Sequence, residues 1–160
     1  MVSLKDIFER PFAGPETKVA YEAALGKFLV TFNSVENYMR WIVELALKEH
    51  GREDLWKMIS EDMFDRQIKN LRLVSVSVPN VSEIPFDRLA ALNKLRNKFA
   101  HGHYDQDLFS DEFRLVGKKE VGIKTTLEEV RAATNEADDL WQELTSVISH
   151  LLPPEEDDLK

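Results

Sequence analysis

The 160-residue sequence predicts an all-α fold, a helical bundle with one small β-hairpin inserted before the last helix. Three observations predict it. Apolar residues recur with helical period over most of the chain, Gly and Pro punctuate it at only a few places, and one stretch, EFRLVGKKEVGIKT at 112–125, breaks the period with β-type residues around a Gly-Lys-Lys-Glu turn.

Pro11, Gly14 and Pro15 interrupt the first twenty residues, after which Thr17 is positioned to cap a long amphipathic run. At about 100° per residue, Tyr21, Leu25, Phe28, Leu29, Phe32, Val35, Met39, Ile42, Val43 and Ala46 share one stripe. The expectation is one long helix, or two in tandem with a bend near Asn33-Ser34, ending before Gly51. A second helical segment runs from about Glu53 to Val74 with Leu55, Trp56, Ile59, Met63, Phe64, Ile68 and Leu71 on its apolar face, and Ser60 is a place where it could divide. The following SVSVPNVSEIP reads as a loop. Pro85 suits a first helical position, and FDRLAALNKLRNKFAH continues as a helix for Gly102 to end. Beyond the hairpin, Thr126 and Glu129 have capping-box spacing, and Leu127, Val130, Ala137, Leu140, Trp141, Leu144, Val147, Ile148 and Leu151 form the apolar face of a last helix stopped by Pro153-Pro154. Residues 1–152 thus read as one domain, and the acidic tail 153–160 as a solvated, mobile end.

Composition narrows the function. Without cysteine there is no thiolate nucleophile, Cys-ligated zinc or iron–sulfur cluster. The N-terminus lacks the basic-then-apolar pattern of a secretory signal and no apolar run is long enough to span a membrane, so a cytoplasmic protein with no membrane partner is expected. A net charge of −8 argues against the broad basic footprint of a duplex-DNA binder, while leaving room for a small local basic site. No phosphate-cradling Gly-rich loop, zinc-protease helix or nucleophile elbow occurs. His101 and His103 are two residues apart, but His50 and His150 are isolated, so no metal ligand set is suggested and no cofactor is expected.

The informative stretch is Leu92 to Tyr104, LNKLRNKFAHGHY. Leu92, Leu95 and Phe99 share the apolar stripe, Arg96 lies at its edge, and Asn97 and His101 lie on the polar side. Five residues correspond to about 140° around a helix, so Arg96 and His101 meet at one substrate only where the helix ends near His101 or a second chain completes the site.

These six residues, RNKFAH, resemble the Arg, polar residue, three residues, His signature of HEPN domains, small all-α bundles of which many are metal-independent RNases acting as dimers. The resemblance extends to the helical order of most of the chain and to the position of the motif in the penultimate helix. It implies that Arg96, Asn97 and His101 are the catalytic set, that RNA is the substrate, that the protein is a homodimer, and that the setting is a toxin–antitoxin or phage-defence system with an antitoxin or regulatory protein as a further partner. The sequence departs from the pattern in two ways. Toxin members commonly carry Tyr two residues after the His, where this chain has His103 and then Tyr104, and the hairpin is an insertion.

The chemistry is intelligible from the residues themselves. RNA cleavage without a metal needs the 2′-hydroxyl deprotonated, the phosphorane charge stabilised and the 5′ oxygen protonated. A histidine, whose unperturbed pKa is about 6.5, serves either proton-transfer role near neutrality, and the Arg fork matches two phosphate oxygens. Asn97 could orient the imidazole or bond a phosphate oxygen; the helix dipole at His101 favours an acid role. One motif offers half of an acid–base pair, and a symmetric dimer supplies both.

Bland readings stand beside these. His101 could merely bond the last helical carbonyls, Arg88, Lys94, Arg96 and Lys98 could be a solvated face, and Tyr104 could be a core-edge aromatic rather than a contact for RNA bases. The whole module could be catalytically inactive, binding a partner protein or nucleotide through the same face, a reading that the acidic balance favours. Glu36 falls inside the apolar stripe of the first long helix, where a carboxylate needs a cation. Arg40, four residues on, is the local partner; Arg96 is the one that would couple Glu36 to the motif, and that contact is the expectation carried forward.

Overall fold

The computed structural model describes residues 14–107, 109, 112–116 and 123–152, with backbone only at 123 and 124. The Gly-Lys-Lys-Glu turn, Pro11, Pro153-Pro154 and the acidic tail lie outside them. Among the described residues there are five α-helices: α1 (Glu16–Glu49), α2 (Glu53–Ile59), α3 (Phe64–Val74), α4 (Phe86–His101) and α5 (Leu127–Leu151). A 3-10 turn occupies Pro79–Glu83, and a three-stranded antiparallel sheet is formed by β1 (His103–Gln106), β2 (Phe113–Val116) and β3 (Ile123–Lys124) in the order β1-β2-β3. The all-α bundle with an inserted hairpin is the observed architecture, and no helix among the described residues is long and apolar enough to cross a membrane.

α1 is one uninterrupted helix with no break at Asn33-Ser34. It starts two residues earlier than expected, after Pro15, so Thr17 lies inside the first turn and is not its cap. Eight of the ten stripe residues are buried; Leu25 and Leu29 sit at the margin. The stripe packs along its length against α5, whose capping box is formed in both directions: Glu129 N–H donates to Thr126 Oγ1 at 3.2 Å and Thr126 N–H to Glu129 Oε2 at 3.1 Å.

The segment 53–74 divides near Ser60, as the sequence allows, but its two halves differ. α2 has no buried residue, and Leu55, Trp56 and Ile59 are only half-covered. Met63, expected on the apolar face, is 75% exposed. It precedes α3 in an extended conformation, so the helical phase restarts at Phe64 and the wheel drawn through Ile59 does not apply to it. The stretch 75–85 is more than a loop: Val78, Val81 and Ile84 are buried under α3 and α5, held by the 3-10 turn. Pro85 stands one position before the helix, with Phe86 as its first residue.

β1 was not anticipated. His103 to Gln106 pair with Val116 to Phe113, and Arg114 and Leu115 pair in turn with Lys124 and Ile123, so the hairpin acquires a third strand from the residues that leave the motif helix. Tyr104 and Phe113 stack at 5.3 Å and cover Tyr21 of α1, at 5.0 and 4.9 Å between ring centroids. This contact docks the sheet on the N-terminal half of α1.

Candidate functional site

α4 carries the motif because its apolar side is fixed by Leu89, Leu92 and Phe99, all buried. Phe99 meets Phe28 edge-on at 5.5 Å. The helix is further pinned to α5 by Arg88, which donates from Nε to Glu136 Oε1 at 2.7 Å and from Nη1 to Glu143. Those bonds to two carboxylates push the guanidinium pKa further above its already high value. Lys98 pairs with Glu129 at 3.8 Å. Of the four cations on this helix, Arg88 and Lys98 are thus structural, and Lys94 and Arg96 form no ion pair among the described residues.

Arg96 is half-buried at the edge of the core. Its guanidinium carbon lies 5.7 Å from the centroid of the Phe32 ring, and Nη1 donates to Asn97 Oδ1 at 3.1 Å. An aromatic face and a neutral amide hold the side chain, and among the described residues no carboxylate takes its charge. Beside it opens a cleft of about 110 Å³, lined by Phe32, Glu36, Phe64, Asp65, Asn93 and Asn97 among others.

Glu36 lines this cleft, yet its partner is Arg40, whose Nη2 donates to Glu36 Oε1 at 3.2 Å. The expected Glu36–Arg96 bond is absent. A residue four positions along the same helix is already within reach, whereas Arg96 is drawn over Phe32 instead. Two residues that the sequence reading missed complete the cleft. Asn93, buried, donates from Nδ2 to Asp65 Oδ1 at 2.6 Å and so ties α4 to α3. The signal was available: Asn93 is a polar residue on the apolar stripe, one turn before Asn97.

His101 is the last residue of α4 and is exposed. The helix runs unbroken from Arg96 through His101, so the two side chains leave it about 140° apart and about 7.5 Å apart in height. His50 and His150 bond the carbonyls one turn back, Nδ1 to Ala46 O at 2.9 Å and to Ser146 O at 2.7 Å. His101 and His103 make no hydrogen bond among the described residues, and both are exposed. The bland role suggested for His101 is therefore played by the other pair. Tyr104 faces the core and donates to Gln106 Oε1 at 3.1 Å, so its ring is the core-edge aromatic. Among the described residues no three His, Asp or Glu side chains converge.

Gly102 ends α4 in an extended conformation, φ −76° and ψ 136°, which any residue adopts. Its necessity is steric. A Cβ there would lie 2.9 Å from Leu115 Cβ and 2.9 Å from Lys98 O. Glycine lets β2 close on the helix end, and that approach sets where His101 and His103 project. No family model, curated protein or solved structure matches the chain.

Proposed function

We propose that the protein is a metal-independent endoribonuclease of the HEPN type, with Arg96 binding the scissile phosphate, Asn97 steadying its guanidinium, and His101 transferring protons. One observation carries this reading: a single helix presents an arginine that meets no carboxylate and an exposed histidine that makes no hydrogen bond among the described residues, while His50, His150 and Arg88 are engaged in the fold. Uncommitted charge and an open imidazole are the two things phosphate-ester cleavage requires. The angular separation of Arg96 and His101 means that one chain does not focus both on one phosphorus atom, so a second copy supplies the complementary acid or base. The toxin or defence setting, with an antitoxin or regulatory protein, follows from the resemblance of RNKFAH alone.

A second reading, a catalytically silent module that binds a partner protein or nucleotide, is favoured by the carboxylates of Glu36 and Asp65 in the cleft, which repel a phosphate, and by the net charge of −8. Incubating purified protein with mixed RNA in chelator separates the two. Cleavage leaving 2′,3′-cyclic phosphate ends, lost in both Arg96→Ala and His101→Ala with the fold intact, is the result expected of the nuclease. Intact RNA would leave the silent module, and cleavage unchanged in His101→Ala would remove His101 from the mechanism.

A further inference from the structure

The cleft beside Arg96 holds more polar atoms than the fold uses. Asn93 is only 7% exposed, yet its Nδ2 alone is bonded, to Asp65; among the described residues its Oδ1 accepts no hydrogen bond. Asp65 Oδ1 accepts from Asn93 and Glu36 Oε1 from Arg40, while the second oxygen of each carboxylate accepts nothing among the described residues. Asn97 accepts from Arg96 through Oδ1, which leaves its Nδ2 as a donor. Phe32 and Phe64, both buried and stacked at 4.7 Å between centroids, form the floor, and Met63, 75% exposed, stands at the rim.

These atoms select their occupant by charge, shape and donor pattern. Glu36 and Asp65 repel a phosphate, Arg96 repels a cation, and with Arg40 behind Glu36 the cleft and its border balance two charges of each sign. A neutral molecule rich in donors is what remains. At about 110 Å³ the cleft lies well below the ~300 Å³ at which drug-sized pockets begin, so it has room for one flat ring system and not for a whole nucleotide.

We infer that this cleft is a nucleobase site selective for guanine. Of the four RNA bases only guanine carries two adjacent donors on one edge, N1–H and the 2-amino group, and a carboxylate, which only accepts, is the group that takes both. Asp65, held in position by Asn93, receives that edge. The second hydrogen of the 2-amino group goes to Asn93 Oδ1, and O6 of the base accepts from Asn97 Nδ2. Met63, unbranched and adaptable, packs across the ring from the rim, which gives its exposure a purpose.

The helix also sets which phosphate is attacked. Asn93, Asn97 and His101 are four residues apart and stand in one row along α4, about 6 Å from step to step. A guanine seated at the two asparagines sets its ribose one step along, toward His101, with Arg96 at the edge of the same cleft for the 3′ phosphate. The cut then falls 3′ to guanosine. This placement of the cut rests on the nuclease reading; occupancy of the cleft by the base does not.

Calorimetric titration of the full chain with nucleoside 3′-monophosphates tests the site. The guanosine compound is expected to bind at least about tenfold more tightly than those of adenosine, cytidine, uridine and inosine, the last lacking only the 2-amino group, because the wrong base leaves the site's polar groups unpaired. Asp65→Asn keeps an oxygen for Asn93 Nδ2 and turns the other into an amide donor, and Met63→Ala shortens an exposed side chain. Both are expected to melt as the wild type does and to bind guanosine 3′-monophosphate more weakly, Asp65→Asn by at least about tenfold. Equal binding of the inosine and guanosine compounds, or Asp65→Asn binding as the wild type does, overturns the proposal. Guanine-selective binding without RNA cleavage upholds the base site and ends the nuclease reading. Cleavage indifferent to base, with no guanine preference in the titrations, ends the base site and leaves the nuclease.

Discussion

Asn93 Nδ2 donates to Asp65 Oδ1 across 2.6 Å, joining the motif helix to α3 one turn before Arg96. The bond matters because Asn93 is buried and Asp65 is not. Asp65→Ala leaves the amide without its acceptor, and the expected cost is about 1–3 kcal/mol. Asn93→Leu removes the donor together with its need for a partner and is expected to cost less. Urea denaturation of the two variants gives this ranking; equal or reversed losses would show that the bond does not anchor the helix.

Gly102 is predicted to tolerate no side chain. Gly102→Ala should cost about 1–3 kcal/mol through overpacking, read as a lowered Tm. Leu115→Ala should not rescue it, since the obstacles are a Cβ that alanine retains and a backbone oxygen of Lys98. Rescue by that second substitution would locate the conflict further out along the Leu115 side chain.

The Glu36–Arg40 pair is half-exposed on one helix, and pairs of this kind contribute at most about 1 kcal/mol. Glu36→Gln should therefore barely change stability and should leave Arg96 over Phe32. Arg96→Lys should behave differently: it keeps the charge but loses the planar stack and the fork, and any RNA cleavage should fall at least about tenfold, in the range of a lost charge-assisted contact. Equal activity of Arg96→Lys and wild type would reduce Arg96 to a point charge.

Tyr21 is buried beneath Tyr104 and Phe113, and burial first, then the neighbouring charge of Tyr104, raises its pKa above the ordinary value of about 10. For a group whose folded pKa is raised, the stabilisation is complete below the unfolded pKa and is lost as pH rises through the folded one. Thermal melts should thus fall in the alkaline range above about pH 10, and Tyr21→Phe should flatten that decline. A Tyr21→Phe profile parallel to wild type would assign the alkaline loss to other groups.

Local pattern accounts for much of the fold. The α1 stripe, the capping box at Thr126 and Glu129, the division near Ser60 and the end of α4 at His101 all depend on residues within a turn or two of one another, and periodicity and cap chemistry read such relationships directly. Met63 and β1 escaped for different reasons: Met63 is extended and breaks the helical phase, and β1 depends on a strand that returns from further along the chain. The chain changes phase before Phe64, and His103 to Gln106 become a strand only because residues 113–116 return beside them.

For the candidate site the division is similar. That Arg96, Asn97 and His101 share one helix, and that about 140° separates Arg96 from His101, is a property of spacing alone. Which cations and imidazoles remain uncommitted is not. Glu136, Glu143 and Glu129 engage Arg88 and Lys98 from another helix, Phe32 takes Arg96 away from Glu36, and the return of Leu115 fixes the exit at Gly102. Sequence by itself determined the helices, their buried stripes and the order of the motif, because hydrogen bonding and amphipathicity act over a few residues. Tertiary structure alone decided which polar groups pair, because partners tens of residues apart are chosen by packing, and only packing shows which are left over for chemistry.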